Sequence, residues 1–349
     1  MNRLLIGLLT AISAAAQSPQ EMAKNLNNEG NRIADLGNDA EAERLYREAI
    51  EIWRSLGPAY EAHAACTLVN LGVTLSAEGQ RQAASKLFQD ALALHRHSLG
   101  AKHLRTVTNI NELATSYLMT GDPDRAEALY REALPIEREL YPRDIQTART
   151  LQGLSYGLVR QGLGQEALPL AEEALGIAIE RAGENSLDAA LAYSSVAEAH
   201  RMMKSGERAL PLYRKARALY EKALGPDHPR VACLLSQEGL ILMHDGKLAL
   251  AEQSITQAVK SLKKGCPGCL SELAIAESNL GLLRLRQKRY RDADEAFSAA
   301  VELREKVNVG TAPELADVLQ SLAVVRQKEH LPDDAARLNS RAQMIRGYR

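Results

Sequence analysis

The sequence predicts an all-α protein, an α-α superhelix (solenoid) of about eight helix-turn-helix repeats. Three observations carry this. A turn signal recurs at Gly37, Gly79, Gly121, Gly162, Lys204, Gly246, Lys288 and His330, at steps of 42 residues with a single step of 41. Alanine stands five and twelve residues after every one of these turns, from Ala42 and Ala49 through to Ala335 and Ala342. Seven residues before each turn the residue is always Gly, Ala or Ser, and nine after it stand Tyr46, Phe88, Tyr130, Tyr213 and Phe297 in five of the repeats. A fixed period of this length, with small and large residues in fixed register, marks a repeat array.

The repeat is clearest between Asn109 and Tyr141. Leu113, Ala114 and Tyr117 share one face of a first helix, and Ala126, Tyr130 and Ala133 one face of a second. Gly121-Asp122-Pro123 separates them, with Gly as the stop, Asp as the N-cap and Pro in the following first turn. The alanines let two antiparallel helices approach closely, and the tyrosines fill the space beside them. Neither helix covers its other apolar edge alone, so each repeat needs neighbours.

This order of small residue, Ala, aromatic and Ala resembles the tetratricopeptide repeat, offset for offset. The repeat here is longer, with the excess after the second alanine. In that it is similar to the repeats of kinesin light chains, which also carry an L-G-P-D-H-P connector. That connector stands intact from Leu224 to Pro229, with reduced copies at Leu56-Gly57-Pro58 and Leu99-Gly100. The resemblance covers residues 20 to 347. It implies a solenoid that binds a protein or an extended peptide in a concave groove lined by the first helices, with no catalysis and no cofactor.

Composition agrees with that architecture. Hydrophobic residues make up 46% of the chain but aromatics only 4%, so the apolar surface is mostly Ala and Leu, as close helix packing requires. The net charge is −1 with both signs interspersed, which argues against nucleic-acid binding and against a polybasic membrane patch. Met1-Asn2-Arg3, the apolar run Leu4 to Ile12 and Ser13-Ala14-Ala15-Ala16 form the three parts of a signal peptide. Cleavage is expected near Ala16, leaving residues 17–349 as an exported (periplasmic or secreted) repeat array. The polar last helix, with Asn339, Arg337, Ser340 and Arg341, is expected to cap it. The apolar run is too short to span a bilayer comfortably.

Three prolines fall in second helices. Pro169 and Pro211 are expected near helix starts, whereas Pro135 is expected to kink its helix or end it early. Trp53 is expected under the connector that follows it. Cys266-Pro267-Gly268-Cys269 replaces the connector between the sixth and seventh repeats. With no second C-x-x-C for zinc and no βαβ context for a thioredoxin site, a local disulfide is the preferred reading, beside free thiols. His95, His97 and His103 lack an acid or Cys at ligand spacing, so no metal is expected there. Cys66 and Cys233 read as partly buried small residues.

No catalytic motif is present in the sequence. What the resemblance implies instead is a peptide site on the first helices. Nine and ten residues before the turns lie Asn28, Asn70, Asn111, Gln152, Gln237 and Asn279, an amide ladder suited to pairing with a partner's main chain. Arg149, Tyr156, Arg160, Arg201 and Arg286 flank it and would set specificity. Basic residues of a carboxylate clamp are missing beside Asn27, Asn31 and Asn70, which speaks against a C-terminal-tail ligand. A structural or self-assembling scaffold, or a non-catalytic subunit of an enzyme complex, is the alternative reading.

Overall fold

The computed structural model describes residues 17–266, 268–307 and 313–347. Sixteen helices, joined by short turns and connectors and accompanied by no strand, make up these described residues. They are α1 (Pro19–Asp35), α2 (Asp39–Ser55), α3 (Glu61–Ala77), α4 (Arg81–Leu99), α5 (Leu104–Thr120), α6 (Pro123–Leu140), α7 (Ile145–Arg160) and α8 (Gly164–Ala182). There follow α9 (Leu187–Met202), α10 (Gly206–Leu224), α11 (Pro229–His244), α12 (Leu248–Gly265), α13 (Leu270–Arg286), α14 (Tyr290–Val307), α15 (Pro313–Lys328) and α16 (Pro332–Gly347). Odd-numbered helices are the first helices of the repeats and even-numbered ones the second. The protein is an α-α solenoid. Its chain divides into two compact units, one ending at Gly162 and the other beginning at Leu163. Within each unit, helices pack on their sequence neighbours, and first helices also touch first helices, α1 on α3, α3 on α5 and α5 on α7, then α11 on α13 and α13 on α15.

All eight turn positions read from the sequence adopt left-handed backbone, with φ from 58° to 84°. That conformation reverses the chain while the next amide returns to the helix just ended, as Gln80 N–H does to the Leu75 carbonyl at 2.8 Å. Three turns use side chains where glycine is at ease, Lys204, Lys288 and His330. A non-glycine residue there costs about 1–2 kcal/mol, against the roughly 0.5–1 kcal/mol of extra chain entropy that glycine loses on folding. Lys288→Gly is therefore expected to raise stability by about 0.5–1 kcal/mol. Denaturant midpoints of the two proteins decide it, and an unchanged or lowered midpoint would contradict the account.

The core follows from the repeat register. Fifteen of the sixteen register alanines have no exposed surface, and Ala335 has 6%. Tyr46, Phe88 and Phe297 each lie against the small residue of their own first helix, Gly30, Gly72 and Gly281. A Cβ added to Gly72 would sit 2.7 Å from the Phe88 ring, and one added to Gly281 would sit 2.8 Å from Phe297. Close helix approach and ring insertion are thus one device. Trp53 is buried and stacks on Tyr60 of the next connector at 5.7 Å between ring centres.

The intact connector shows what its residues do. Gly225 ends α10 at φ 88°, and His228 Nδ1 caps α11 by accepting from the Arg230 amide at 3.2 Å. Pro229 then opens α11, where its missing N–H leaves no bond unmade. Asp227 accepts from Lys264 Nζ at 2.6 Å, and its carbonyl lies 2.4 Å from where a Cβ of Gly265 would be. His103 performs the same cap for α5, and Ser186 caps α9. Cys266 and Cys269 are joined by a disulfide, with Cα atoms 5.4 Å apart.

The prolines depart from expectation. α8 and α10 begin at Gly164 and Gly206, five residues before Pro169 and Pro211, so both prolines lie beyond the first turn. Each therefore removes one intrahelical hydrogen bond. Pro135 does not end its helix, since α6 runs on to Leu140. All three are exposed, so water can meet the carbonyl that each proline leaves unpaired. The signal-peptide reading falls on residues 1–16, outside the described residues.

Candidate functional site

Within each unit, the first helices have a side that the second helices leave exposed. Counting back from each turn, the residues at two and six lie on it, and those at nine and ten lie on its flank. At six before the turn, Val73, Tyr156 and Val324 are 48%, 44% and 44% exposed, and Leu240 and Leu282 are half-buried. At two before it stand Met119, Arg160, His244, Arg286 and Lys328, all exposed. The offset at six thus mixes these apolar residues with the polar Asn31, Thr115 and Glu198, and the offset at two is mostly polar or charged.

The amide ladder is placed differently from the open-groove expectation. Asn70 Nδ2 donates to Asn27 Oδ1 at 3.0 Å, joining α3 to α1. Asn279 is buried and donates to Ser236 at 2.8 Å, joining α13 to α11. Asn111 Nδ2 donates to Thr150 of α7 at 2.8 Å and to Glu137 of α6 at 2.9 Å. Gln152 is 7% exposed, and its Oε1, like that of half-buried Gln237, has no hydrogen-bond partner within the protein. Three amides thus stitch neighbouring helices together. The cause is geometric: offsets nine and ten point sideways at the next first helix rather than out of the layer.

The remaining candidates divide between the two units. In the first, Asn28, Arg149, Tyr156 and Arg160 are exposed on α1 and α7. In the second, Arg286 is exposed and reaches the Met243 carbonyl at 3.3 Å. Arg201 is half-buried and ion-paired to Glu198, which also accepts from the Tyr213 hydroxyl. That pairing with Glu198 holds the Arg201 guanidinium above its usual range. It is occupied within its own repeat.

Two features of the first unit were not foreseen. A shallow pocket of about 180 Å³ opens between α3 and α5, lined by Val73, Ala77, Phe88, Glu112, Thr115 and Met119. Burial raises the Glu112 carboxyl, partly offset by Arg149. Second, Cys66 on α3 has its sulfur 3.6 Å from His95 Nε2 and accepts from Arg105 at 3.3 Å. Burial pushes the Cys66 thiol up, and it pushes Cys233 up to about 11. These are not thiolate-favouring settings. No group of three or more metal-ligating side chains occurs among the described residues.

His95 makes the first unit acid-sensitive. It is 2% exposed, and burial, with Arg105 and His103 nearby, lowers its pKa to about 4. The unfolded chain takes up this proton near pH 6.5 and the folded chain near 4, so stability is lost as pH falls through that window. One proton gives a slope of up to about 1.4 kcal/mol per pH unit. His95→Phe should flatten the dependence of the denaturation midpoint between pH 6.5 and 4. An unchanged slope would remove His95 as its source.

Paired helices at this period, with a fixed small-large register, define a helical-repeat interaction protein. The chain belongs to the tetratricopeptide repeat family, which matches residues 26–56, 63–139, 146–221, 188–264 and 272–344. It is 25% identical to BtubC (BKLC) from P. vanneervenii, over 66% of this chain and 92% of that one, with a TM-score of 0.51. A putative kinesin light chain from Podosopora anserina matches 59% of this chain and 98% of its own, at 20% identity and a TM-score of 0.51. The apo quorum sensor NprR from B. thuringiensis shares the fold over 98% of this chain and 92% of its own, at 13% identity and a TM-score of 0.71. No curated protein matches in sequence.

Proposed function

We propose that this protein is a non-enzymatic interaction module whose first helices hold an extended segment of a partner protein. The observation that carries this is the uncovered side of the first helices, where Val73, Tyr156 and Val324 stay exposed six residues before their turns, beside the polar Asn31, Thr115 and Glu198 at the same offset. Large apolar side chains set among polar groups on an exposed helix side suit a contact surface, which draws on both. Tyr156 and Arg160 are one turn apart on α7 and offer an aromatic anchor beside a charge, the pairing enriched at binding hot spots.

The ladder residues then act by fixing the spacing of the first helices, while the exposed row makes the contacts. Tyr156→Ala should weaken a co-purified partner at least tenfold, Asn28→Ala and Arg160→Ala less, and Glu132→Ala on the second-helix face not at all. Calorimetric titration of the partner measures this. If Glu132→Ala weakens binding and Tyr156→Ala does not, the scaffold reading takes over, and sedimentation against concentration should then show self-assembly.

The export reading belongs to the same proposal. A Cys266–Cys269 disulfide is at ease in an oxidising compartment. Among the described residues no helix is long and apolar enough to cross a membrane. Intact-mass measurement of the native protein should find a chain beginning near Gln17. A chain retaining Met1 in the cytosol would sink the export reading.

A further inference from the structure

The pocket between α3 and α5 stands out on the exposed side of the first helices, because a half-buried carboxyl, Glu112, lines it and faces one cation, Arg149. The repeat register explains why. At nine residues before the turn, Asn70 and Asn279 bond the residue that stands 43 positions earlier, Asn27 and Ser236. Glu112 occupies the same place in its repeat, and the residue 43 positions before it is Val69. The valine side chain offers neither donor nor acceptor, so the sideways bond made by Asn70 and Asn279 has no counterpart at Glu112. The other seven repeats carry Asn28, Asn70, Gly153, Ser195, Gln237, Asn279 and Ser321 at this offset, none of them charged. Glu112 is thus the single carboxylate in a row of neutral residues.

The surroundings of that carboxyl are apolar on one side. Val73, Ala77, Phe88 and Met119 supply the apolar lining, Ser76 and Ser116 add hydroxyls, and Thr115 adds one whose oxygen is 2.8 Å from that of Tyr130. Met119 is 50% and Val73 48% exposed, so the walls are open to a ligand. The charge that faces Glu112 is Arg149, which belongs to α7, the helix on the opposite side of α5 from the pocket. A half-buried carboxyl with methylene-lined walls is complementary to a side chain that is itself apolar along its stem and cationic at its tip.

We infer that this pocket takes a basic side chain, lysine or arginine, of the bound segment: the stem lies between Val73 and Met119 and the charged tip meets Glu112. The inference rests on the proposed groove and names one residue type the segment must carry there. Binding offsets the burial of the Glu112 carboxylate further than Arg149 does, because a second cation brings N–H donors to it. The same pocket discriminates against an acidic side chain, which would place a second carboxylate against the first.

The test uses the full chain with isotope-labelled methionine and valine methyls, followed by NMR. The probes are three blocked tripeptides, Ac-Ala-X-Ala-amide, with X as lysine, its uncharged isostere norleucine, or glutamate. The lysine probe should shift the Met119 and Val73 methyl signals and bind at least tenfold more tightly than norleucine. Glutamate should not bind. Glu112→Gln should abolish the tenfold preference while leaving the methyl spectrum that of a folded protein, and added salt should weaken the lysine probe alone. Norleucine binding as well as lysine, glutamate binding preferentially, or no probe moving these methyls would each overturn the inference. If the lysine probe fails while Tyr156→Ala still weakens the co-purified partner, the subsite is wrong and the groove reading stands. If the probe binds as expected but Tyr156→Ala leaves the partner unaffected, the pocket is real and the groove reading fails.

Discussion

Phe88→Ala is expected to lower the stability of the first unit by about 3–5 kcal/mol, and Gly72→Ala by about 1–3 kcal/mol. The first change empties the space that a ring only 2% exposed now fills between α3 and α4. The second adds a Cβ 2.7 Å from that ring, so either Phe88 or one helix must move. The two effects will not add. With Phe88 gone, the alanine methyl enters vacant space, and the roughly 1 kcal/mol that glycine costs inside a helix is recovered. Gly72→Ala should therefore become neutral or stabilising in the Phe88→Ala background. Trp53, the only tryptophan, lies in the same unit, so its fluorescence during urea denaturation reports the relevant melting. Strict additivity of the two changes would show that Gly72 and Phe88 are not a packed pair.

That coupling is readable in the sequence because both members repeat. A glycine or alanine seven before the turn and an aromatic nine after it recur at one spacing, and only ring insertion between close helices explains both together. The turns were legible for a similar reason. The turn inside each repeat takes left-handed φ, and glycine marks five of the eight. Lys204, Lys288 and His330 were found only by counting from their neighbours, since their own chemistry gives no turn signal.

The candidate site was less legible, and the amides show why. Periodicity assigns a residue to one side of a helix but does not say whether another helix already lies there. Asn70 and Asn279 read equally well as groove and as flank until the contact 43 residues away is known. Tyr156 and Arg160 sit four apart on α7, and both are exposed. The Glu112 pocket is a third case. Its carboxylate stands in a row that is neutral in the other seven repeats, and such a break becomes visible only after the register of the whole row is fixed. Pro169 and Pro211 failed for a local reason: helix starts come from capping geometry, and the start lay five residues earlier than the prolines suggested.

Arg217→Ala should destabilise the second unit by about 3 kcal/mol, the low end of what removing one partner of a buried ion pair costs. Glu238 on α11 is 3% exposed and accepts from Arg217 Nε of α10 at 2.7 Å. Without Arg217, its carboxylate keeps only Arg214, at 3.6 Å and 53% exposed along its side chain. A second cation at that distance, already half in water, compensates weakly, which keeps the loss large. Arg217 also holds Glu221 at 2.7 Å, but that carboxylate is one-third exposed and water can replace the contact. The loss therefore belongs to Glu238 and should vanish with it. Glu238→Leu combined with Arg217→Ala removes the stranded charge and fills the same space with apolar surface, so the double variant should recover most of the stability. Urea denaturation followed by far-UV circular dichroism compares wild type, both single variants and the double. If the double variant is no more stable than Arg217→Ala alone, the guanidinium acts through its packing against α11 and not through the carboxylate it meets there.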